Sequence, residues 1–213
     1  MNWIDIVLLI LLVAAIIVGS RKGLIRELMA LAVLTATVIV SVNYIDVIAI
    51  KVYDVLGGSP LVTAIIAFVI LLALVYAVFK LLGMVFYKIA NLQKLGKKDQ
   101  LGGALVGALR GWVIISFVVF VVFLMPMPER FYTDFGESFL GPTFARTLPL
   151  LYEGSSGLHP RNADFMEKVE RTLLYQPSSG SSPQFDFSEG DREQVYRVIY
   201  QIDRFFGTSS PNM

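Results

Sequence analysis

Charged side chains inside long apolar stretches are the residues of this sequence whose types and spacing could do chemistry. Arg110 lies about nine residues into an apolar run that starts near Leu101, about 13 Å deep at 1.5 Å per residue. A charge at that depth costs several kcal/mol unless its side chain reaches the interface or pairs with an acid. Glu27, at the start of an earlier apolar run, is the obvious partner. Three roles stay open for Arg110: a structural ion pair, a substrate or partner contact in a polar cleft, and snorkelling alone.

A second pattern lies around Arg110. Gly103, Gly107 and Gly111 recur every four residues and therefore lie along one side of a helix, close to Arg110. Such a face allows another helix to approach closely. The sequence leaves open whether the approaching helix belongs to the same chain or to another subunit.

Polar residues also mark both ends of the first apolar run. Asp5 lies one turn into it, where a helix dipole favours an acid, and a role beyond this capping stays an alternative. Gly19 and Gly23 flank Arg21 at the other end, and they indicate a tight, basic turn.

The sequence offers no recognisable catalytic set. It has no cysteine, its single histidine, His159, precedes a proline in a Gly/Ser-rich stretch, and no metal-spaced cluster or phosphate loop is present. We predict no enzyme activity, no catalytic or metal-binding residue and no cofactor.

The elements that position these residues are four apolar segments, predicted at about residues 3–19, 24–42, 61–79 and 101–125. Residues 6–18 and 61–75 hold no charge on any face, unlike amphipathic helices of a soluble core. The fold class is therefore an all-α integral membrane protein, with a transmembrane domain over 1–125. We expect two helical hairpins, and a loop at 43–60 of which a part could continue the helix.

Charge is divided between the two parts of the chain. Residues 1–125 hold ten Lys and Arg against five Asp and Glu, whereas residues 126–213 hold eight against twelve. The acidic tail argues against nucleic-acid binding. The basic residues gather in the first and third connections: Arg21, Lys22, Arg26, Lys88, Lys94, Lys97 and Lys98. By the positive-inside rule these connections face the cytoplasm, and the N-terminus and the tail lie in the periplasm of a bacterial inner membrane.

The tail divides into two predicted parts. Residues 126–152 form a membrane-proximal interfacial segment, whose apolar residues are expected to lie on the outer membrane surface: Phe139, Leu140, Phe144, Leu148 and Leu151. Residues 153–213 form a soluble tail with two amphipathic helices joined by a Ser/Gly linker at 177–183. The second helix must dock on the first, on the membrane or on a partner.

Several of these features occur in one order in a known family. They are Asp5, the Gly19-Ser20-Arg21-Lys22-Gly23 turn, Glu27, Asp99-Gln100-Leu101-Gly102-Gly103, Gly107, Arg110, Gly111, the stretch Glu137-Ser138-Phe139-Leu140-Gly141-Pro142 and Leu148-Pro149. Over roughly residues 1–150 the chain resembles the colicin V production protein family of bacterial inner-membrane proteins. Asp99-Gln100 departs from the acidic-basic pair that the family often has there.

This resemblance implies a non-enzymatic role in toxin (bacteriocin) production or export and in envelope homeostasis. The implied partners are membrane lipid and either further copies of this chain or other membrane and export proteins. The alternative is a small oligomeric transporter or channel in which Arg110 and Glu27 line a polar path.

Overall fold

The computed structural model describes residues 2–56, 59–90, 97–155, 157, 164–174 and 188–207, and all regular structure in these ranges is helical. The eight described helices are α1 (Trp3–Lys22), α2 (Leu24–Leu56), α3 (Pro60–Ala90), α4 (Lys97–Phe123), α5 (Glu129–Glu137), α6 (Gly141–Gly154), α7 (Phe165–Leu173) and α8 (Glu189–Phe206).

Helices α1 to α4 are long and apolar enough to cross a membrane. Their apolar side chains do not all turn inward: Ile6, Ile10, Val13 and Ile17 of α1 are each more than two-fifths exposed. A continuous exposed apolar face on a helix of this length suits contact with lipid.

Helix α2 is longer than a single span requires. At 1.5 Å per residue its 33 residues extend about 50 Å, against a hydrocarbon thickness of about 30 Å. It continues through residues 43–56, most of the segment expected to be a loop. Ile45 and Ala49 are buried there at helical spacing from Val42, so packing on one face keeps the segment helical despite its charges.

The four long helices do not pack as two sequential hairpins. Helix α1 lies mainly along α4, and α2 lies along α3 and α4, whereas α1 and α2 touch little. We call the end of the bundle that holds Lys22 and Lys97 the basic end, and the opposite end the tail end.

The C-terminal helices pack around the tail end of α4. Phe123 is fully buried, and its ring lies 4.8 to 5.8 Å, centroid to centroid, from five aromatic rings of α5 and α8. These five are Phe131, Tyr132, Phe135, Phe205 and Phe206, and with Phe123 we call them the aromatic core. Buried rings in edge-to-face contact contribute both apolar area and specific geometry, so the core fixes α5 and α8 on the bundle.

Helix α6 packs on the middle of α4. Phe144 stacks on Trp112 with ring centroids 4.1 Å apart, and Trp112 Nε1 donates a hydrogen bond of 2.8 Å to Thr147 Oγ1. Phe144 and Leu148 are therefore buried in protein, not spread on the membrane surface as expected, because α4 offers them an apolar face. Phe139, in contrast, is 83% exposed.

Helices α7 and α8 are the two amphipathic helices predicted in the tail. The Phe165 ring of α7 contacts both Phe120 of α4 and Phe206 of α8. The last helix, α8, was expected to dock on the first tail helix, on the membrane or on a partner. It docks on that first tail helix, α7, and also on α4 and α6 of the same chain.

Candidate functional site

The three glycines of α4 face α1 of the same chain. A Cβ atom on Gly107 would lie 2.7 Å from Gly19 Cα, and one on Gly103 would lie 2.6 Å from the Gly19 carbonyl oxygen. Real Cβ contacts are not this short, so only glycine permits the approach. Gly111 faces Ala15 in the same way. We call this contact of α1 and α4 the glycine seam.

The sequence also shows the small residues with which α1 meets the glycines of α4. Ala15 and Gly19 of α1 and Gly23 directly after it recur every four residues, with the same spacing as the glycines of α4. The prediction of Gly19 and Gly23 as turn residues alone does not account for this contact. The matching period of two small-residue faces was the signal that would have paired the helices.

The turn between α1 and α2 is fixed from α4. Gly23 has φ +87°, a conformation that favours glycine. The buried Asp99 lies against it, and its Oδ1 accepts a hydrogen bond of 2.8 Å from the Leu24 backbone N–H. Asp99 thus caps the start of α2 from another helix, while Arg21 beside the turn is exposed.

Glu27 and Arg110 meet inside the bundle. Glu27 is fully buried, and its Oε2 lies 2.8 Å from Arg110 Nη1. Lys22 Nζ lies 3.7 Å from the other carboxylate oxygen. The side chain of Arg110 is 14% exposed, and its buried Nε atom makes no hydrogen bond to any described residue. The pair that the sequence suggested is therefore present, and it joins α2 to α4.

Asp5 makes a second connection, at the tail end. Its Oδ1 accepts a hydrogen bond of 2.9 Å from the Leu140 N–H, and its Oδ2 accepts one of 3.0 Å from the Asn2 N–H. Trp3 Nε1 and the Asn2 side-chain amide donate to Asp134 of α5 nearby. Asp5 thus ties the start of α1 to the segment between α5 and α6.

Sequence reasoning missed a third charged contact. Lys168 of α7 is fully buried, and its Nζ lies 3.1 Å from Asp46 Oδ2 and donates a 3.0 Å hydrogen bond to the Asn43 carbonyl. Beside it, burial and the charges of Asp46 and Glu167 raise the pKa of Tyr152 to about 12, so this phenol stays neutral. We call the Asp46–Lys168 contact the tail latch.

A signal for the latch existed in the sequence. Phe165, Lys168, Val169 and Thr172 share the buried face of α7, so the lysine occupies an apolar position of the amphipathic pattern. A charged residue at such a position indicates a buried partner, because an unpaired charge there is costly.

The described residues contain no group of three or more His, Cys, Asp and Glu side chains that could hold a metal ion. His159 lies outside the described residues. Within them, the buried charges contact other charges or backbone groups of the same chain, an arrangement that joins helices.

Within the described residues, four helices are long and apolar enough to cross a membrane and hold charged groups between them, as in a multi-pass α-helical membrane protein. The model of the Colicin V production protein family matches residues 4–149, more than half of the chain. The chain belongs to this family. No curated protein and no solved structure matches it. The matched range includes the glycine seam, Glu27, Arg110 and Asp5, but it ends before α7 and α8.

Proposed function

We propose that this protein is a non-enzymatic accessory protein of the bacterial inner membrane that supports production or export of a peptide toxin and envelope homeostasis. The observation that carries the proposal is the family match over residues 4–149, which covers every candidate site residue of the transmembrane part. In this proposal the basic end faces the cytoplasm and the tail end faces the periplasm, as the distribution of Lys and Arg suggests.

The internal contacts support a scaffold role. Asp99, the Glu27–Arg110 pair and Asp5 each join two segments that are distant in sequence. Charged groups that make such connections hold the helices in a fixed arrangement. This arrangement suits a protein that presents surfaces to partners. The α1 helix occupies the glycine seam, so we place self-association and contacts with export proteins on other surfaces.

The test uses a colicin V-secreting strain that lacks its own family member. We expect this chain to restore secreted colicin V activity and growth in dodecyl sulfate, with membrane levels checked by immunoblot. The variant Glu27→Gln should lower both readouts, and Asp54→Asn, at an exposed carboxylate of the same helix, should not. A well-inserted chain that changes neither readout contradicts the proposal.

A second candidate function is a small oligomeric transporter or channel. Fully buried Thr37, Ser41 and Ser116 lie on α2 and α4 between the Glu27–Arg110 pair and the tail latch, and Ser41 Oγ makes no hydrogen bond within the described chain. Such a row of polar groups at membrane depth favours a polar path. This candidate predicts solute flux in proteoliposomes that Arg110→Ala removes. An absence of flux over a broad solute panel would exclude it.

A further inference from the structure

An open groove lies between the helices at the basic end, beside the Glu27–Arg110 pair. It has a volume of about 330 Å³ and is lined by residues of α1 to α4. Four of the lining residues are cations: Lys22, Arg26, Lys80 and Arg110. The others are Met29, Ala30, Val33, Tyr76 and Met84.

The charge of this groove is not balanced by its own lining, which includes no acid. Glu27 lies behind it, and this single carboxylate is already shared by Arg110 at 2.8 Å and Lys22 at 3.7 Å. Lys80 adds a further positive charge, so that Lys22, Lys80 and Arg110 together already outnumber the one carboxylate. The groove therefore carries an excess of positive charge that an anion would neutralise.

The positions of the cations make that excess costly. Arg110 lies 13 residues after Lys97, the first residue of α4, or about 20 Å along the helix at 1.5 Å per residue. Lys80 lies on the apolar α3 helix, and its Nζ is 5.8 Å from the centroid of the Tyr76 ring. Cations at membrane depth normally pair or reach toward the interface, and basic pockets between membrane helices bind phosphate head groups.

The apolar residues of the groove lining suit a ligand that also has an apolar part. Met29, Val33 and Met84 lie beside the cations and offer contacts that a hydrated anion alone would not use. A phospholipid brings a phosphate and an acyl chain together, as this lining requires. Phosphate is nevertheless the chemistry shared with soluble anions.

We propose that this groove binds a phosphate-bearing anion through Lys22, Arg26 and Lys80, with Arg110 held in position by Glu27. The source of the phosphate is either the head group of an anionic phospholipid or a soluble phosphate compound. The site does not depend on a role in toxin production, so each idea can fail separately.

The experiment measures binding to the purified full-length protein in mild detergent. Native mass spectrometry follows titration with cardiolipin, with zwitterionic phosphatidylcholine as the reference, and calorimetry follows sodium phosphate and pyrophosphate. We expect Lys80→Gln and Arg26→Gln each to weaken binding of the anion about fivefold, the effect of removing one cation near a lipid phosphate.

Lys97→Gln is the matched control, because Lys97 is an exposed cation at the same end and does not line the groove. Variant-sensitive binding of cardiolipin alone assigns the site to a lipid head group, and variant-sensitive binding of phosphate or pyrophosphate assigns it to a soluble anion. Equal affinity of wild type and both groove variants for every anion tested overturns the proposal. Equal affinity for phosphatidylcholine and cardiolipin does so too when phosphate and pyrophosphate also fail to bind.

Discussion

At the scale of single residues, the Glu27–Arg110 pair decides how α2 meets α4. Both side chains are largely or fully withdrawn from solvent, so each charge depends on the other for compensation. Removing one member of a buried pair costs more than replacing both, because the remaining charge loses its compensation.

We therefore expect Glu27→Gln to lower the free energy of unfolding by about 3–5 kcal/mol, the range for breaking a buried pair. The double variant Glu27→Leu with Arg110→Leu should recover most of that loss. Unfolding in mixed dodecyl sulfate micelles provides the measurement, with the exposed Asp54→Asn as control. A double variant less stable than Glu27→Gln would show that the pair is not the main contact there.

The tail latch is also a buried ion pair, and it involves the C-terminal helix α7. Lys168→Leu removes the ammonium that faces Asp46 within a buried site, so we expect a loss of about 3–5 kcal/mol. Arg171→Leu, which alters a partly exposed pair with Glu167 on the same helix, should cost well under 1 kcal/mol. Amide hydrogen exchange in α7 measures both, and similar exchange in the two variants would contradict the assignment of the latch.

At the scale of elements, the glycine seam sets the distance between α1 and α4. Gly107→Leu would place a branched side chain where even a Cβ atom lies 2.7 Å from Gly19 Cα, so the helices must separate. We expect a clear loss of thermal stability in detergent. Gly190→Ala in α8, where an added Cβ meets nothing within 4 Å, should be neutral or stabilising. Equal melting temperatures for wild type and Gly107→Leu would show that α1 does not lie on this face.

The elements also show how far the sequence could predict the fold. Long apolar runs with very few charges identify spans directly, so the four apolar helices followed from the sequence. The pairing of α1 with α4 did not, because it depends on matching Ala15 and Gly19 to glycines far along the chain. Residues 43–56 looked like a loop since Asp46, Lys51 and Asp54 interrupt the apolar pattern, and only the docking of α7 shows why Asp46 is buried.

At the candidate site, sequence reasoning paired Arg110 with Glu27 because a deep arginine needs a counter-charge and Glu27 enters its apolar run from the same side of the membrane. It missed Lys168, because a lysine on an amphipathic helix is normally solvated, although its place on the apolar face of α7 was a signal of a buried partner. The functional role of these residues stays a prediction.

At the scale of the whole molecule, charge distribution predicts orientation. Alkaline phosphatase fused after Met213 needs an oxidising compartment to form its disulfides, so a periplasmic tail predicts an active fusion. A fusion after Lys22 should be inactive. An inactive fusion at Met213 together with an active one after Lys22 would reverse the orientation proposed for the bundle.

The tail latch joins a residue inside the range that the family model matches to a residue beyond that range. Asp46 lies within the matched range of residues 4–149, and Lys168 lies beyond it. A relative with a shorter C-terminus therefore lacks the counter-charge, and an amide or apolar residue is expected at the position of Asp46. The two positions should be inherited together, and a chimaera that exchanges the C-terminal helices between relatives should fold only when residue 46 is exchanged with them.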